Sequence, residues 1–313
     1  MTPHPVLALI ADRLASASRP GAREDDARLA VVLEGGSSRA AYGGGMVEAL
    51  ESRGVLPAVD AVYGSSAGAL NGAWLVCERV AAGVHGWWEP VVTNGVIDVR
   101  RALRGGALVD TDHLVDHVYE RITPMGYAEI LASDVEFHPL ATDAMTGEST
   151  DLAPFVSSKG DLQAALRATT RMPVLGGPPV SLGGRTFIDA GIAESVPALT
   201  AWAQGATHLL VLRTTSPDHV RRPAGRLERG VVARWMTRHA PGAAAAWLRR
   251  EETKAEAERL LAGDRHTLQI APPAHGPRIS RVGRSEATLR TAVRLGRAAA
   301  DEVLAPLDQE RIA

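Results

Sequence analysis

The sequence predicts an α/β fold built on a mostly parallel sheet, and three observations predict it. Residues 29–34 (LAVVLE) and 59–63 (VDAVY) are short apolar runs of buried-strand character. Each runs into a glycine-bearing turn. Each turn opens a stretch whose apolar residues recur at helical spacing. Two strand–turn–helix units in succession are what parallel strands joined by helical crossovers require.

The elements follow in order. Near the N-terminus, Leu7, Ile10 and Leu14 share one helical face in a short apolar run with no basic leader. This reads as a helix packed on the domain rather than a secretory signal. A helix lying on a membrane surface is the competing reading, against which its polar face lacks a basic cluster. Residues 19–26, with Pro20 and Gly21, read as a polar linker. After the first strand a helix is expected over residues 45–53, with Met46, Ala49 and Leu50 inward. After the second, one is expected over residues 67–80. Residues 83–126, carrying Trp87, Trp88 and the Gly105-Gly106 pair, read as loops and short helices beside the sheet. Further strands are expected at 135–142, 185–188 and 208–213 (HLLVLR). Helices are expected at 162–171, stopped by Pro173, and just after Pro197. The rest is mostly helical, over 227–238, 243–262 and 285–303, with one strand at 266–270. No internal repeat or domain-sized linker interrupts the 313 residues. One domain is expected: 1–28 an N-terminal helix and linker, 29–215 the α/β core, and 216–313 a mainly helical part packed on the same domain.

Composition excludes several classes. Apolar residues make up 45% and charged residues 22%, enough apolar material for a sizeable core. A net charge of -2 argues against nucleic-acid binding by the whole chain. Cys77 is the single cysteine, so no intramolecular disulfide can form, and a reducing compartment fits. No stretch approaches the ~18 apolar residues of a spanning helix. A cytoplasmic protein is therefore expected, with peripheral membrane contact as an option; nothing marks its oligomeric state. No cofactor and no metal are expected. His113 and His117 stand four apart with Asp116 between them, which could place two imidazoles on one face for zinc. The H-E-x-x-H pattern is absent and no third ligand is evident, so a solvated helix face is preferred. Residues 221–250 hold eight arginines (221, 222, 226, 229, 234, 238, 249 and 250) and one acid, Glu228, with Trp235, Met236 and Trp247 interleaved. That is either an ordinary solvated helical face or a dock for anionic headgroups or an acyl-thioester phosphate.

The chemistry gathers at the glycines. Gly64-Ser65-Ser66-Ala67-Gly68 fits G-x-S-x-G between an expected strand and an expected helix. A sharp turn there would push Ser66 Oγ outward, and the helix N-terminus would favour negative charge beside it. Gly64 and Gly68 would let the backbone pass closely. The competing reading is a glycine-rich turn with a buried serine. Upstream, Gly35-Gly36-Ser37-Ser38-Arg39-Ala40 ends the first strand and could aim N–H groups at an anion. It matches neither G-x-G-x-x-G nor a P-loop, leaving a plain tight turn or an oxyanion hole serving Ser66. The serine needs a base. His208, His219, His239, His266 and His275 all follow it, but none sits in a compact motif. Asp189, in Phe187-Ile188-Asp189-Ala190-Gly191, ends an apolar run beside small residues. It could reach a serine across the sheet or simply cap a loop.

Taken together, GGSSRA, GSSAG and DAG resemble the patatin-like phospholipases, whose pattern is G-G-G-x-[R/K]-G, then G-x-S-x-G, then D-G-[G/A]. Leu33-Glu34, Asn71-Gly72-Ala73 and Arg185-Thr186-Phe187-Ile188, with Pro197 soon after, look like bacterial members. The resemblance covers roughly residues 29–215. It implies a three-layer α/β/α sandwich with a mostly parallel central sheet, to which this chain adds a helical C-terminal extension. It also implies a Ser–Asp dyad without histidine, acting on lipid or acyl-ester substrates. Ser66 would be the nucleophile and Asp189 the proton acceptor. The loop of Gly35, Gly36, Ser37, Ser38 and Arg39 would form the oxyanion hole, its N–H donors coming from Gly36, Ser37 and Ser38 and its basic residue being Arg39. Ser37 stands where the family has its third loop glycine, Ala40 where it has the last, and Ala190 at the middle of D-G-[G/A]. A serine at a position needing φ > 0 would be strained. The elbow does not separate water from alcohol, amine or thiol acceptors, which leaves an acyltransferase or thioesterase on the same dyad open, and the departures keep open a degenerate lipid-binding protein.

Overall fold

The computed structural model describes residues 3–216 and 225–310. The apolar runs become one sheet of eight strands: β1 (Leu29–Leu33), β2 (Ala61–Ser65), β3 (Glu136–Asp143), β4 (Ser149–Asp151), β5 (Val180–Leu182), β6 (Arg185–Ile188), β7 (His208–Leu212) and β8 (Thr267–Ile270). They lie in the order β5-β6-β3-β2-β1-β7-β8, with β4 on β3. The five strands from β3 to β8 are parallel. β4 and β6 run antiparallel to β3, and β5 and β6 pair as a hairpin.

Alternate residues of the central strands face two apolar layers, as the period of two requires. Leu29, Val31, Leu33 and Val62 pack with Met46, Leu50 and Trp74 from α2 (Ala41–Ser52) and α3 (Ala67–Val76). Ala30, Val32, Ala61 and Tyr63 pack with Ala198, Ala201 and Leu261 on the other side. Helices therefore cover both faces, and the expected mostly parallel α/β sandwich is what forms. α1 (Pro5–Ala15) buries Val6, Leu7 and Ile10 in the first layer, which settles its two readings in favour of packing on the domain.

Several boundaries differ for physical reasons. The polar 19–26 stretch is coil, yet it is tied down: Arg23 bonds Asp60 and the carbonyls of Pro57 and Val59, and Arg13 bridges Asp25 and Asp60. α2 begins at Ala41, ahead of the expected start at 45, and runs through Gly43-Gly44-Gly45. A Cβ on Gly45 would lie 1.9 Å from the Val293 carbonyl, and one on Gly296 would lie 1.9 Å from that of Tyr42. The glycines let α2 and the Glu286–Glu310 helix touch backbone to backbone. That helix runs on past 303 and through Pro306. α3 stops at Val76 rather than reaching 80, because Glu78 turns to φ 54. β8 extends the sheet with residues from the C-terminal part. Residues 83–126 form short helices and loops beside the sheet, and 114–122 is π-helical. No described helix is long and apolar enough to cross a membrane.

Candidate active site

Two neighbouring parallel strands, β1 and β2, end at one place, and the loops leaving them build the site. β2 turns into α3 through Ser66, which sits at φ 52, ψ -129. A positive φ of this kind is rare for a non-glycine residue and is found where surroundings over-determine it. The surroundings are identifiable. A Cβ on Gly64 would meet Ala69 Cα at 2.3 Å, and one on Gly68 would meet the Leu33 carbonyl oxygen at 2.5 Å. Only glycine lets the turn close this tightly between α3 and β1. The Ser66 N–H donates to Thr169 Oγ1 at 2.9 Å, fixing the turn from the Lys159–Thr169 helix.

Ser66 Oγ donates to Asp189 Oδ2 at 2.7 Å. Asp189 follows β6, the antiparallel strand beside β3, and so reaches the serine across the end of β3. Its other oxygen accepts from the Gly191 N–H at 2.8 Å, and Thr142 Oγ1 donates to its carbonyl at 2.9 Å. Burial pushes its carboxyl up to about 6, against the opposing pulls of the Ser66 hydroxyl, the Gly191 N–H and the charge of Arg281. The sequence-expected pair is thus brought together. Of the described histidines, none is hydrogen-bonded to Ser66; His219 lies outside the described residues.

The glycine-rich loop lies directly over this pair. A Cβ on Gly35 would meet Ser66 Cβ at 3.2 Å, and one on Gly36 would meet Thr214 Oγ1 at 2.6 Å. Its donors divide. The Gly35 N–H is engaged by the Ser195 carbonyl at 2.9 Å, and the Arg39 N–H by the Gly36 carbonyl at 3.1 Å. The Ser38 N–H makes a long contact of 3.4 Å with the Arg281 carbonyl. Among the described residues, the N–H groups of Gly36 and Ser37 have no protein acceptor. Ser37 does adopt φ 51, the strained conformation its glycine-like position demands. Its hydroxyl donates to the Arg281 carbonyl at 2.5 Å, and Ser38 Oγ donates to the same oxygen at 3.1 Å. Arg39, Ser37, Ser66, Asp189 and Arg281 line one cleft that opens to solvent.

Two features escaped the sequence reading. One is Arg281, from a stretch with no recognisable motif. The other is the buried support of the loop. Glu34 follows β1 and Arg213 follows β7, so opposite charges stand just past the ends of two adjacent apolar strands. Glu34 accepts from Arg213 (3.1 Å), Lys254 (2.6 Å) and the Thr214 N–H (2.8 Å). Burial alone would raise its carboxyl, but Arg213 and Lys254 hold it well below the usual carboxylate range. Thr214 Oγ1 then donates to the Gly35 carbonyl at 2.7 Å. The pattern of one acid and one base ending neighbouring apolar runs was the available signal.

A second, apolar space borders the loop, lined by Trp74, Trp87, Val92, Ile97, Tyr119 and Leu289 among others. The two spaces adjoin: Ser37 and Arg281 border the cleft, while Ser38 and Gly283 border the apolar cavity. His113 and His117 stack on each other at 4.9 Å, and no metal-holding cluster of His, Cys, Asp or Glu occurs among the described residues. In the arginine-rich segment, Arg221 and Arg222 lie outside the described residues.

Residues 31–202 match the family model described as patatin-like phospholipase. The chain is also 29% identical over 192 residues to the "Uncharacterized protein YjjU" of Escherichia coli (strain K12), a match covering 60% of this chain and 52% of that protein. The chain therefore matches about half the length of this curated relative.

Proposed function

The chain belongs to the patatin-like phospholipase family, a family of lipid acyl hydrolases, and from that premise we propose that it cleaves carboxylic esters of lipids through a Ser66–Asp189 dyad and an acyl-enzyme. The observation that carries this reading is the 2.7 Å hydrogen bond from Ser66 Oγ to Asp189 Oδ2, beside two unengaged backbone N–H groups. Asp189 takes the Ser66 proton as Oγ attacks the ester carbonyl. The N–H groups of Gly36 and Ser37 receive the oxyanion, a contribution of about 3–4 kcal/mol per key donor, and the N-terminus of α3 adds a favourable field. Asp189 then gives the proton to the leaving alkoxide. In the second half it deprotonates a water, which attacks the acyl carbon; the adduct collapses, the carboxylic acid leaves, and Asp189 returns the proton to Ser66 Oγ.

A carboxyl near 6 suits this work better than one at 3.8, because a base closer to the working pH is both ionised and less reluctant to take a proton. The apolar cavity behind the loop supports a lipid acyl chain as the carboxyl part of the ester. It is formed largely by the 83–126 stretch. Arg39, the loop's basic residue, borders the cleft. The test is labelling with a fluorophosphonate probe. Wild-type protein should label at Ser66 and hydrolyse short- and long-chain esters. Ser66→Ala should do neither; full esterase activity in that variant would refute the assignment. Absence of labelling in the wild type would favour a degenerate lipid-binding protein.

A further inference from the structure

The helices Arg226–His239 and Ala243–Gly263 make one wall of the cleft, contributing Glu228, Val232, Trp247 and Arg250. Their inner side is packed: Met236, Ala240, Ala243 and Trp247 are buried against Ile188, with Val232 and Trp235 resting on them. Their outer side is a different surface. Leu227 is 83% exposed, Leu248 69% and Val231 46%. Leu227 and Val231 are one helical turn apart, each adjacent in sequence to a cleft-lining residue, so the apolar stripe runs along the cleft's outer rim. Around it stand Arg226, Arg229, Arg234, Arg238 and Arg249, all exposed. From 226 to 250 there are six arginines and a single acid, in a chain whose net charge is -2; the exposed Glu251 and Glu252 stand one turn beyond Leu248, so the cationic surface is centred on the Arg226–His239 helix and Leu248 lies at its edge.

Large leucines in water among guanidinium groups present two demands at once: an apolar phase for the side chains and anions for the charges. An anionic bilayer meets both, with phosphates at the depth of the arginines and acyl chains just below. A second copy of this chain does not, because a two-fold contact would bring arginines against arginines. We propose that this face docks on an anionic lipid surface, with Leu227, Val231 and Leu248 entering the headgroup–acyl boundary and the arginines pairing with lipid phosphates. The cleft rim is thereby held at the membrane plane, where an ester can pass from the bilayer to Ser66 without crossing water. The inference gives the hydrolase reading its source of substrate and rests on it in that respect. The docking itself is measurable without turnover.

The experiment is vesicle co-sedimentation, with phosphatidylcholine alone and with equal parts phosphatidylcholine and phosphatidylglycerol, at low and high salt. A soluble short-chain ester is assayed in parallel. Wild type should bind the anionic vesicles at least about tenfold more tightly than the neutral ones, with the preference shrinking in high salt. The double variant Leu227→Asp/Leu248→Asp should lose about tenfold in vesicle affinity, and Arg226→Glu/Arg229→Glu should lose the anionic preference. Both should keep wild-type turnover of the soluble ester, which also reports that they fold. Equal binding of wild type to both vesicle types would overturn the proposal, as would wild-type binding by both variants. So would a dimer in sedimentation that the Leu227→Asp/Leu248→Asp change dissociates, since the face would then be a self-contact. If wild type binds vesicles but turns over no ester, docking stands and the hydrolase reading falls.

Discussion

Replacing Asp189 with asparagine should cut activity by orders of magnitude and at the same time stabilise the fold. Asp189 is 7% exposed, and burial lifts its carboxyl from the usual 3.8 to about 6. Holding an ionised group there costs the native state about 3 kcal/mol once the pH exceeds both values. The sign follows from proton counts. Between 3.8 and 6 the native state binds more protons than the unfolded chain, so wild-type stability falls as pH rises through that window. The asparagine amide is isosteric with the carboxylate, can accept from the Gly191 N–H and donate to Ser66 Oγ, and carries no charge to desolvate. Urea unfolding followed by tryptophan fluorescence at about pH 8 should therefore show Asp189→Asn more stable by about 3 kcal/mol, shrinking to below about 1 kcal/mol at about pH 4. Ester turnover should fall by about 10²–10⁴ with the base removed. A variant that gains no more over wild type at the higher pH than at the lower would refute the argument that the site is strained by a desolvated carboxylate.

On the proposed mechanism the same group would set the pH dependence of catalysis. kcat/KM on a soluble ester should fall with unit slope below an apparent pKa of about 6, and Arg281→Gln should move that limb upward by removing a cation that favours the ionised form. A limb unmoved by Arg281→Gln would contradict the electrostatic link. At the oxyanion loop, Ser37→Ala keeps the left-handed strain and loses the tie to the Arg281 carbonyl, so kcat should drop about tenfold with KM little changed; Ser37→Gly, which relieves the strain, should recover part of it. Glu34→Gln leaves Arg213 and Lys254 facing a neutral amide, and chemical denaturation should show a loss of about 3–5 kcal/mol. Val92→Phe fills part of the apolar cavity, and a chain-length series should show its optimum shifted to shorter acyl esters with short-chain turnover retained.

Much of this was legible because it lies in local pattern. Apolar runs ending in glycines announce buried parallel strands, and the elbow at Ser66 and the loop at Gly35 follow from small residues at strand ends. The antiparallel edge was harder to read. β4 and β5 are three residues each, the first polar throughout and the second followed by two glycines, with no alternation long enough to register. The start of α2 was hidden because consecutive glycines at 43, 44 and 45 normally break a helix. Here the Glu286–Glu310 helix, far along the chain, supplies the packing that offsets them. Arg281 was invisible for a related reason: its contribution to the loop is a backbone carbonyl, which any residue possesses and no side-chain pattern marks.

That carbonyl orders events in time. Ser37 and Arg281 are 244 residues apart in sequence. During synthesis the dyad residues Ser66 and Asp189 leave the ribosome well before Arg281 does, a lag on the order of ten seconds at ~5–20 residues per second. Through that interval the nascent chain carries Ser66 and Asp189 but not the carbonyl to which Ser37 and Ser38 bond. On the proposed mechanism a centre assembled this way would stay unpoised on the polysome, and a product stalled or cut before residue 281 would share that inactivity.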